Sequence, residues 1–220
     1  MTQTTRFHII AIDGPAASGK STMARNLAQT LGYYEVNSGA LYRVFTWYVL
    51  QQGVDPRNSE AVLVLLNQTA LDVEFRDHRA IFTCQSLHPS PETLHSEAIN
   101  QAVSTISAIA EVRNRANAVF HALANENNLI VEGRDIGTVV FPETPYKFFL
   151  TASPAIREGR RVAQGQVDAI QKRDQLDSTR KVAPLHPAAD AITIDTSQLQ
   201  PDETLTLVLK HLQLAGLVQT

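Results

Sequence analysis

Residues 14–21 read Gly-Pro-Ala-Ala-Ser-Gly-Lys-Ser, a complete G-x-x-x-x-G-K-[ST] loop. Its setting constrains the chain more than the motif does alone. Phe7-His8-Ile9-Ile10-Ala11-Ile12 precedes it as a short apolar strand. Met23, Leu27 and Leu31 follow at i, i+4 and i+8, one face of a helix, and Gly32 supplies a stop. Strand, glycine loop and helix start stand in the order that lets backbone N–H groups meet phosphate oxygens with the positive end of a helix dipole behind them. Lys20 can then reach the outer phosphates of a bound chain of phosphates, and the Ser21 hydroxyl can ligate Mg²⁺.

Composition narrows the class. With 220 residues, 44% of them hydrophobic, the chain has enough for one large α/β domain or a domain with an insert. A net charge of −3 argues against a general nucleic-acid binder and leaves room for a local basic cleft. Cys84 is the sole cysteine, which excludes an intrachain disulfide framework and a cysteine-rich zinc site and fits a reducing compartment. No apolar run approaches the ~18 residues of a membrane span, and the N-terminus lacks the apolar core of a signal peptide. The expectation is a cytoplasmic protein with no membrane partner. The seven histidines show no paired metal spacing.

Strand-like runs at 7–12, 33–36, 129–132, 146–150 and 191–195 alternate with helical patterns, which predicts a five-stranded parallel sheet with helices on both faces. A helix over 39–52 follows Ser38 as N-cap and carries an apolar stripe of Leu41, Val44, Phe45, Tyr48 and Val49. Residues 60–102 read as a small α+β insert: Leu71–Phe75 and Ala80–Cys84 form a hairpin about an Asp77-His78 turn. A helix over 107–125 returns the chain to the sheet, and another starts near Pro201. The whole of 1–220 is one domain on this reading.

Three further segments carry chemistry. Ser38-Gly39-Ala40-Leu41-Tyr42-Arg43 follows the second strand at the carboxyl edge of the sheet, where such folds bind ligands, and Arg43 can approach a phosphate. Glu132-Gly133-Arg134-Asp135 ends a buried strand on the same edge. There an arginine fork can grip phosphate, an aspartate can accept from an amino group, and Glu132 suits a carboxylate near Mg²⁺ or its waters. Arg157, Arg160 and Arg161, with Lys172, Arg173, Asp177 and Arg180, suit a helical lid over 157–176 that neutralises charge on a transferred group and excludes water. Nothing frames a serine or cysteine nucleophile, and the base-reading Asn-Lys-x-Asp of GTP switches is absent.

On Gly14–Thr22, Ser38–Arg43, Gly133-Arg134-Asp135-Ile136-Gly137-Thr138-Val139-Val140-Phe141-Pro142 and Arg180-Lys181-Val182-Ala183-Pro184-Leu185, the chain resembles the bacterial cytidylate kinases of the nucleoside monophosphate kinase family over nearly its whole length. The segment Gly133–Pro142 is far more specific than the phosphate loop. The resemblance implies a P-loop kinase with Gly14, Pro15, Ala16, Ala17, Ser18, Gly19, Lys20, Ser21 and Thr22 on ATP. Ser104, Arg113 and Asp135 would read cytosine, with Ser38 nearby. Arg43 and Arg134 would hold the CMP phosphate, with Tyr42 shaping that pocket. Arg173 and Asp177 would meet the sugar, and Arg180 the phosphates. In catalysis Lys20 would act on the donor phosphates, Arg134 on the acceptor, and Arg157, Arg160 or Arg161 on the transferred group. The insert at 60–102 would enlarge the monophosphate-binding region.

The implied reaction moves the γ-phosphoryl of ATP, with Mg²⁺, to CMP or dCMP, in a monomer that engages small nucleotides and no nucleic acid. The chain departs from the family pattern at Asn37, where Asp is usual, at Leu176, commonly Arg, and at Leu94-His95, commonly Ile-Arg; the lid is also short. Two other readings stand beside it. One is a kinase for UMP, AMP or an alcohol, the last using Asp135 or Glu132 as base. The other is a nucleotide-binding regulator without turnover.

Overall fold

The structure, a computed structural model, describes residues 7–163 and 183–217. Expectations resting on Lys172, Arg173, Leu176, Asp177, Arg180, Lys181 and most of the 157–176 lid lie outside the described residues.

The sheet has seven strands, against the five that the apolar runs alone imply. They are β1 (Ile9–Asp13), β2 (Tyr34–Asn37), β3 (Leu71–Arg76), β4 (Arg79–Cys84), β5 (Leu129–Gly133), β6 (Tyr146–Thr151) and β7 (Ile192–Asp195), in the order β3-β4-β2-β5-β1-β6-β7. The two extra strands are the hairpin of the 60–102 region. Its β4 runs parallel to β2 through one paired position, Glu35 with Arg79, so the hairpin extends the main sheet. Asp77 and His78 make the tight turn, both at positive φ (48° and 60°), as a two-residue hairpin loop requires. All pairings are parallel except β3 with β4.

Two hydrophobic layers explain why the central strands read as unbroken apolar runs. Along β1, Ala11 faces one core while Ile10 and Ile12 face the other; along β5, Leu129 and Val131 oppose Ile130. One layer holds α2 (Ser38–Gln51), α3 (Ser59–Asn67), α5 (Glu97–Ser107) and α6 (Ala110–Ala124), reached through the short α4 (Pro91–Leu94). The other holds α1 (Lys20–Leu31) and α8 (Pro201–Leu214), whose Val208 and Leu212 are fully buried. A further helix, α7 (Pro154–Ala163), follows β6.

Two local expectations change. The helix expected over 107–125 is present as α6, beginning at Ala110, and a separate helix that the sequence reading lacked, α5, ends just before it at Ser107. Asn37, not Ser38, caps α2: its Oδ1 accepts the Ala40 N–H at 3.0 Å. Gly32 does end α1, at φ 68° with its N–H on the Ala28 carbonyl. Cys84 is buried in β4, and burial raises its thiol pKa to about 11. Among the described residues no helix is long and apolar enough to cross a membrane.

Candidate nucleotide site

The neighbours of β1 are β5 and β6, so the chain leaves the central strand toward opposite edges of the sheet. Such a switch point opens a crevice at the carboxyl ends of the strands. The Gly14–Gly19 loop lies there, between β1 and α1. Gly14 sits at φ 146°, and a Cβ on it would come within 2.0 Å of the Leu150 carbonyl oxygen, so no other residue fits.

Five successive loop carbonyls are each held by a side-chain donor. Arg134 donates to Gly14 O at 2.9 Å, and Lys20 Nζ to Pro15 O at 2.7 Å. Arg157 donates to Ala16 O and Arg160 to Ala17 O, both at 3.3 Å. Thr196 Oγ1 donates to Ser18 O at 3.0 Å. Fixing the carbonyls fixes the peptide planes, which a cradle of N–H groups for phosphate requires. The Ser18 hydroxyl is buried in this loop with no hydrogen-bond partner among the described residues, a polar atom suited to a ligand oxygen. Ser21 and Thr22 are exposed on the first turn of α1.

An open cleft runs from this loop to the start of α2 and the end of β5. Its walls bring together Ala16, Ala17, Lys20 and Ser21 with Ser38, Tyr42, Arg43, Ser104, Arg113, Glu132, Arg134, Asp135 and Arg161. The sequence-read residues from four separate segments thus share one cavity. Arg43 is tied to the hairpin side, donating to Leu94 O at 2.7 Å and Asn100 Oδ1 at 2.9 Å. Arg113 forms a buried ion pair with Asp135, reaches Ser107 O at 3.2 Å, and stacks its guanidinium 5.5 Å from the Tyr42 ring centre. The break between α5 and α6 exposes that Ser107 carbonyl to Arg113.

Arg157 and Arg160 stand apart from this cleft, on the loop's other side. Arg160 also binds Thr196, and a second groove runs there between α7 and residues 196–201.

Two contributors, Thr196 and Asp13, lie outside the sequence reading, and a third, Asn37, entered it only as a departure from the family pattern. Asn37 Nδ2 donates to Glu132 Oε1 at 2.6 Å, so one side chain both caps α2 and orients a buried carboxylate of the cleft. Thr196 becomes visible only when β7 is laid beside the loop. Asp13, 4% exposed, accepts from the N–H groups of Ile136 and Gly137 at 2.8 and 2.7 Å. Burial is the main reason its pKa rises from 3.8 to about 6, and the charge of Asp135 adds to the rise. The two amides and Lys20 oppose it. The available signal was a carboxylate closing a buried apolar strand immediately before a glycine loop. Nearby, Glu35 is buried beside Arg79 at 3.0 Å; desolvation first, and then the Glu132 charge, raise its pKa.

The sequence profile of the cytidylate kinases matches residues 10–214 of this chain. The chain belongs to the cytidylate kinase family. A cytidylate kinase of Corynebacterium efficiens is 40% identical over 214 residues, covering 92% of this chain and 93% of that protein. One of Mycobacterium leprae is 40% identical over 209 residues, covering 90% of this chain and 92% of its own. A gluconokinase from Sinorhizobium meliloti is 15% identical, aligns over 96% of this chain and 93% of its own with a TM-score of 0.51, and shares the fold alone. The family's kinase activity carries ATP as phosphate donor, and the fold is that of the P-loop kinases.

Proposed function

We propose that this member of the cytidylate kinase family transfers the γ-phosphoryl group of ATP to CMP or dCMP, giving CDP or dCDP. The observation that carries the reading is the single cleft joining the phosphate loop, with Lys20, to the buried Arg113–Asp135 pair and Ser104. Cytosine presents an amino donor beside a ring nitrogen and a carbonyl acceptor. Asp135 accepts from the amino group, while Arg113 and the Ser104 hydroxyl complement the rest of that edge, with Ser38 alongside. Uracil would turn a carbonyl toward Asp135, a mismatch that a dry site punishes strongly. Arg43 and Arg134 hold the acceptor phosphate, and Tyr42 shapes its pocket.

Gly14 through Thr22 hold the donor phosphates. The groove between α7 and residues 196–201 gives the donor's base a place on the far side of the loop. Mg²⁺ fits this site: it favours one or two protein oxygens plus phosphates and waters, and the cleft offers the Ser21 hydroxyl and, through water, Glu132. When bound, the ion neutralises charge on the donor phosphates.

The acceptor is a phosphate oxygen whose second pKa is about 6, so it is mostly ionised at neutral pH and needs no general base. Catalysis is then alignment plus charge neutralisation. Lys20 works on the donor, Arg134 on the acceptor, and Arg161, which lines the cleft, on the transferred group, while Arg157 and Arg160 at the start of the 157–176 lid brace the phosphate loop from its far side. Arg173 and Asp177 on the sugar and Arg180 on the phosphates complete this reading, with 60–102 as the monophosphate-binding insert of a single 1–220 domain. The reading is of a monomer.

A panel of CMP, dCMP, UMP, AMP and simple alcohols with Mg-ATP, read by coupled ADP release, tests the proposal. CMP is expected to lead UMP and AMP by at least about tenfold. ATP and CMP both binding with no CDP formed would replace it with a regulator.

A further inference from the structure

We propose that Asp13 is a positioning residue that sets acceptor selectivity, by holding the loop that carries Arg134 and Asp135 at a fixed offset from the phosphate loop. The inference rests on the reading of the cleft as a CMP site.

Asp13 is the last residue of β1, one position before the phosphate loop begins, and its neighbour across the sheet is Gly133 of β5. The chain beyond Gly133 must turn sharply to present Arg134 and Asp135 to the cleft. It does so by entering a single π-helical turn, Ile136–Val140. The first amides of any helical turn have no partner within the turn. Here the amides of Ile136 and Gly137 are both satisfied by the two oxygens of one carboxylate, Oδ1 at 2.8 Å and Oδ2 at 2.7 Å. Hydrogen bonds donated to an anion are about twice as strong as neutral ones, and a pair of them fixes direction as well as distance.

The contact is closed on its other side. A Cβ on Gly137 would lie 3.1 Å from Cδ of Lys147 and 3.4 Å from Oδ2 of Asp13. Lys147 is itself buried, with Nζ on Pro142 O at 2.7 Å and on both Asp190 oxygens at 2.8 and 2.9 Å. The turn is therefore gripped between a carboxylate from β1 and a lysine stem from β6, with no slack for a methyl group. A second link has the same sense: Arg134 donates to Gly14 O at 2.9 Å. Donor and acceptor loops are thus fastened at adjacent residues, Asp13 and Gly14.

This arrangement has a consequence for discrimination. Asp135 precedes Ile136 directly, so the position of its carboxylate follows that of the turn. A base reader in a buried site discriminates only if its polar atoms meet the right edge; displaced by a fraction of an ångström, it loses the preferred base without gaining the other. Asp13 touches neither nucleotide in this account and acts through the turn.

The test is Asp13→Asn, measured beside wild type. Asparagine keeps the shape but turns an NH₂ toward one of the two amides, so one bond is lost and a donor faces a donor. Calorimetry with CMP, UMP and a non-hydrolysable ATP analogue, each alone, is paired with KM and kcat for CMP and UMP. Expected are a CMP affinity about tenfold weaker, a CMP-to-UMP preference reduced about tenfold, and ATP-analogue affinity within twofold of wild type. Gly137→Ala presses on the same contact from the opposite side and should lower the preference several-fold; it decides the matter if Asp13→Asn does not fold. Equal weakening of CMP and UMP, or of CMP and the ATP analogue, in the variant that folds overturns the proposal. Wild type that does not favour CMP over UMP would instead overturn the reading on which it rests.

Discussion

The two halves of the cleft are built on opposite plans. On the proposed reading, the donor half is a run of consecutive residues, Gly14 to Thr22, whose working groups are main-chain amides. The acceptor half is an assembly of side chains from α2, α5, α6 and the end of β5, which the fold alone brings together. A cradle made of backbone tolerates change in its supports, because each of its five carbonyls has its own donor. A pocket made of side chains depends on a few buried charges, and losing one leaves another unpaired. The donor half should therefore fail by losing rate, and the acceptor half by losing stability and selectivity together.

The sharpest separation comes from Lys20→Ala. It is expected to lower kcat by about 10³-fold or more while leaving CMP affinity within twofold, measured by steady-state kinetics and calorimetry. CMP affinity falling as far as the rate would erase the distinction. On the other side, Arg113→Ala leaves Asp135 buried without its ion-pair partner. Stability should drop by about 3–5 kcal/mol in urea unfolding, and CMP binding should vanish while the ATP analogue still binds to the folded fraction.

A smaller effect tests the seam between the halves. Asp13 holds its proton more tightly folded (about 6) than unfolded (3.8). Its contribution to stability is thus largest at low pH and is lost as pH rises through about 6. From pH 5 to pH 7 wild type should lose about 1 kcal/mol that Asp13→Asn does not lose, read as the difference between their urea midpoints. A constant difference across that range would show the carboxylate to be ionised throughout. Thr196→Val, removing one of the five carbonyl donors, should weaken ATP binding only two- to fivefold, about 1 kcal/mol or less. A loss as large as that from Lys20→Ala would mean that the cradle does not share its load.

The same contrast governs what could be read from the chain before its fold was known. The phosphate loop was legible because its chemistry is local: strand, glycines, lysine and helix start are contiguous. The two strands at the centre, β1 and β5, were legible because burial on both faces leaves a nearly unbroken apolar run, and β2, β6 and the edge strand β7 were legible as shorter strand-like segments alternating with helices. The edge hairpin was recognised as a hairpin, yet its attachment to β2, through the Glu35–Arg79 pairing and ion pair, the Glu35 N–H on His78 O and the Tyr34–Phe75 ring contact, is encoded by no periodicity. Helix α5 was hidden because Ile99, Val103 and Ile106 lie across the boundary between the 60–102 insert and the 107–125 helix, and the apolar pattern runs on past Ala108-Ile109 into Val112 and Ala116. Ser38 and Asn37 are both good N-caps, and only the tie to Glu132 shows why the amide takes the position. Asp13 and Thr196 act at a distance in sequence, on amides and carbonyls whose orientation the sequence does not specify.

The lone thiol of Cys84 lies in the strand that joins the hairpin to the sheet, sealed from water and protonated at neutral pH. A maleimide or disulfide reagent added to the native protein can modify it only while that edge has come away. The rate of labelling therefore times the detachment of one sheet edge, with no engineered probe and no second cysteine to confuse the count.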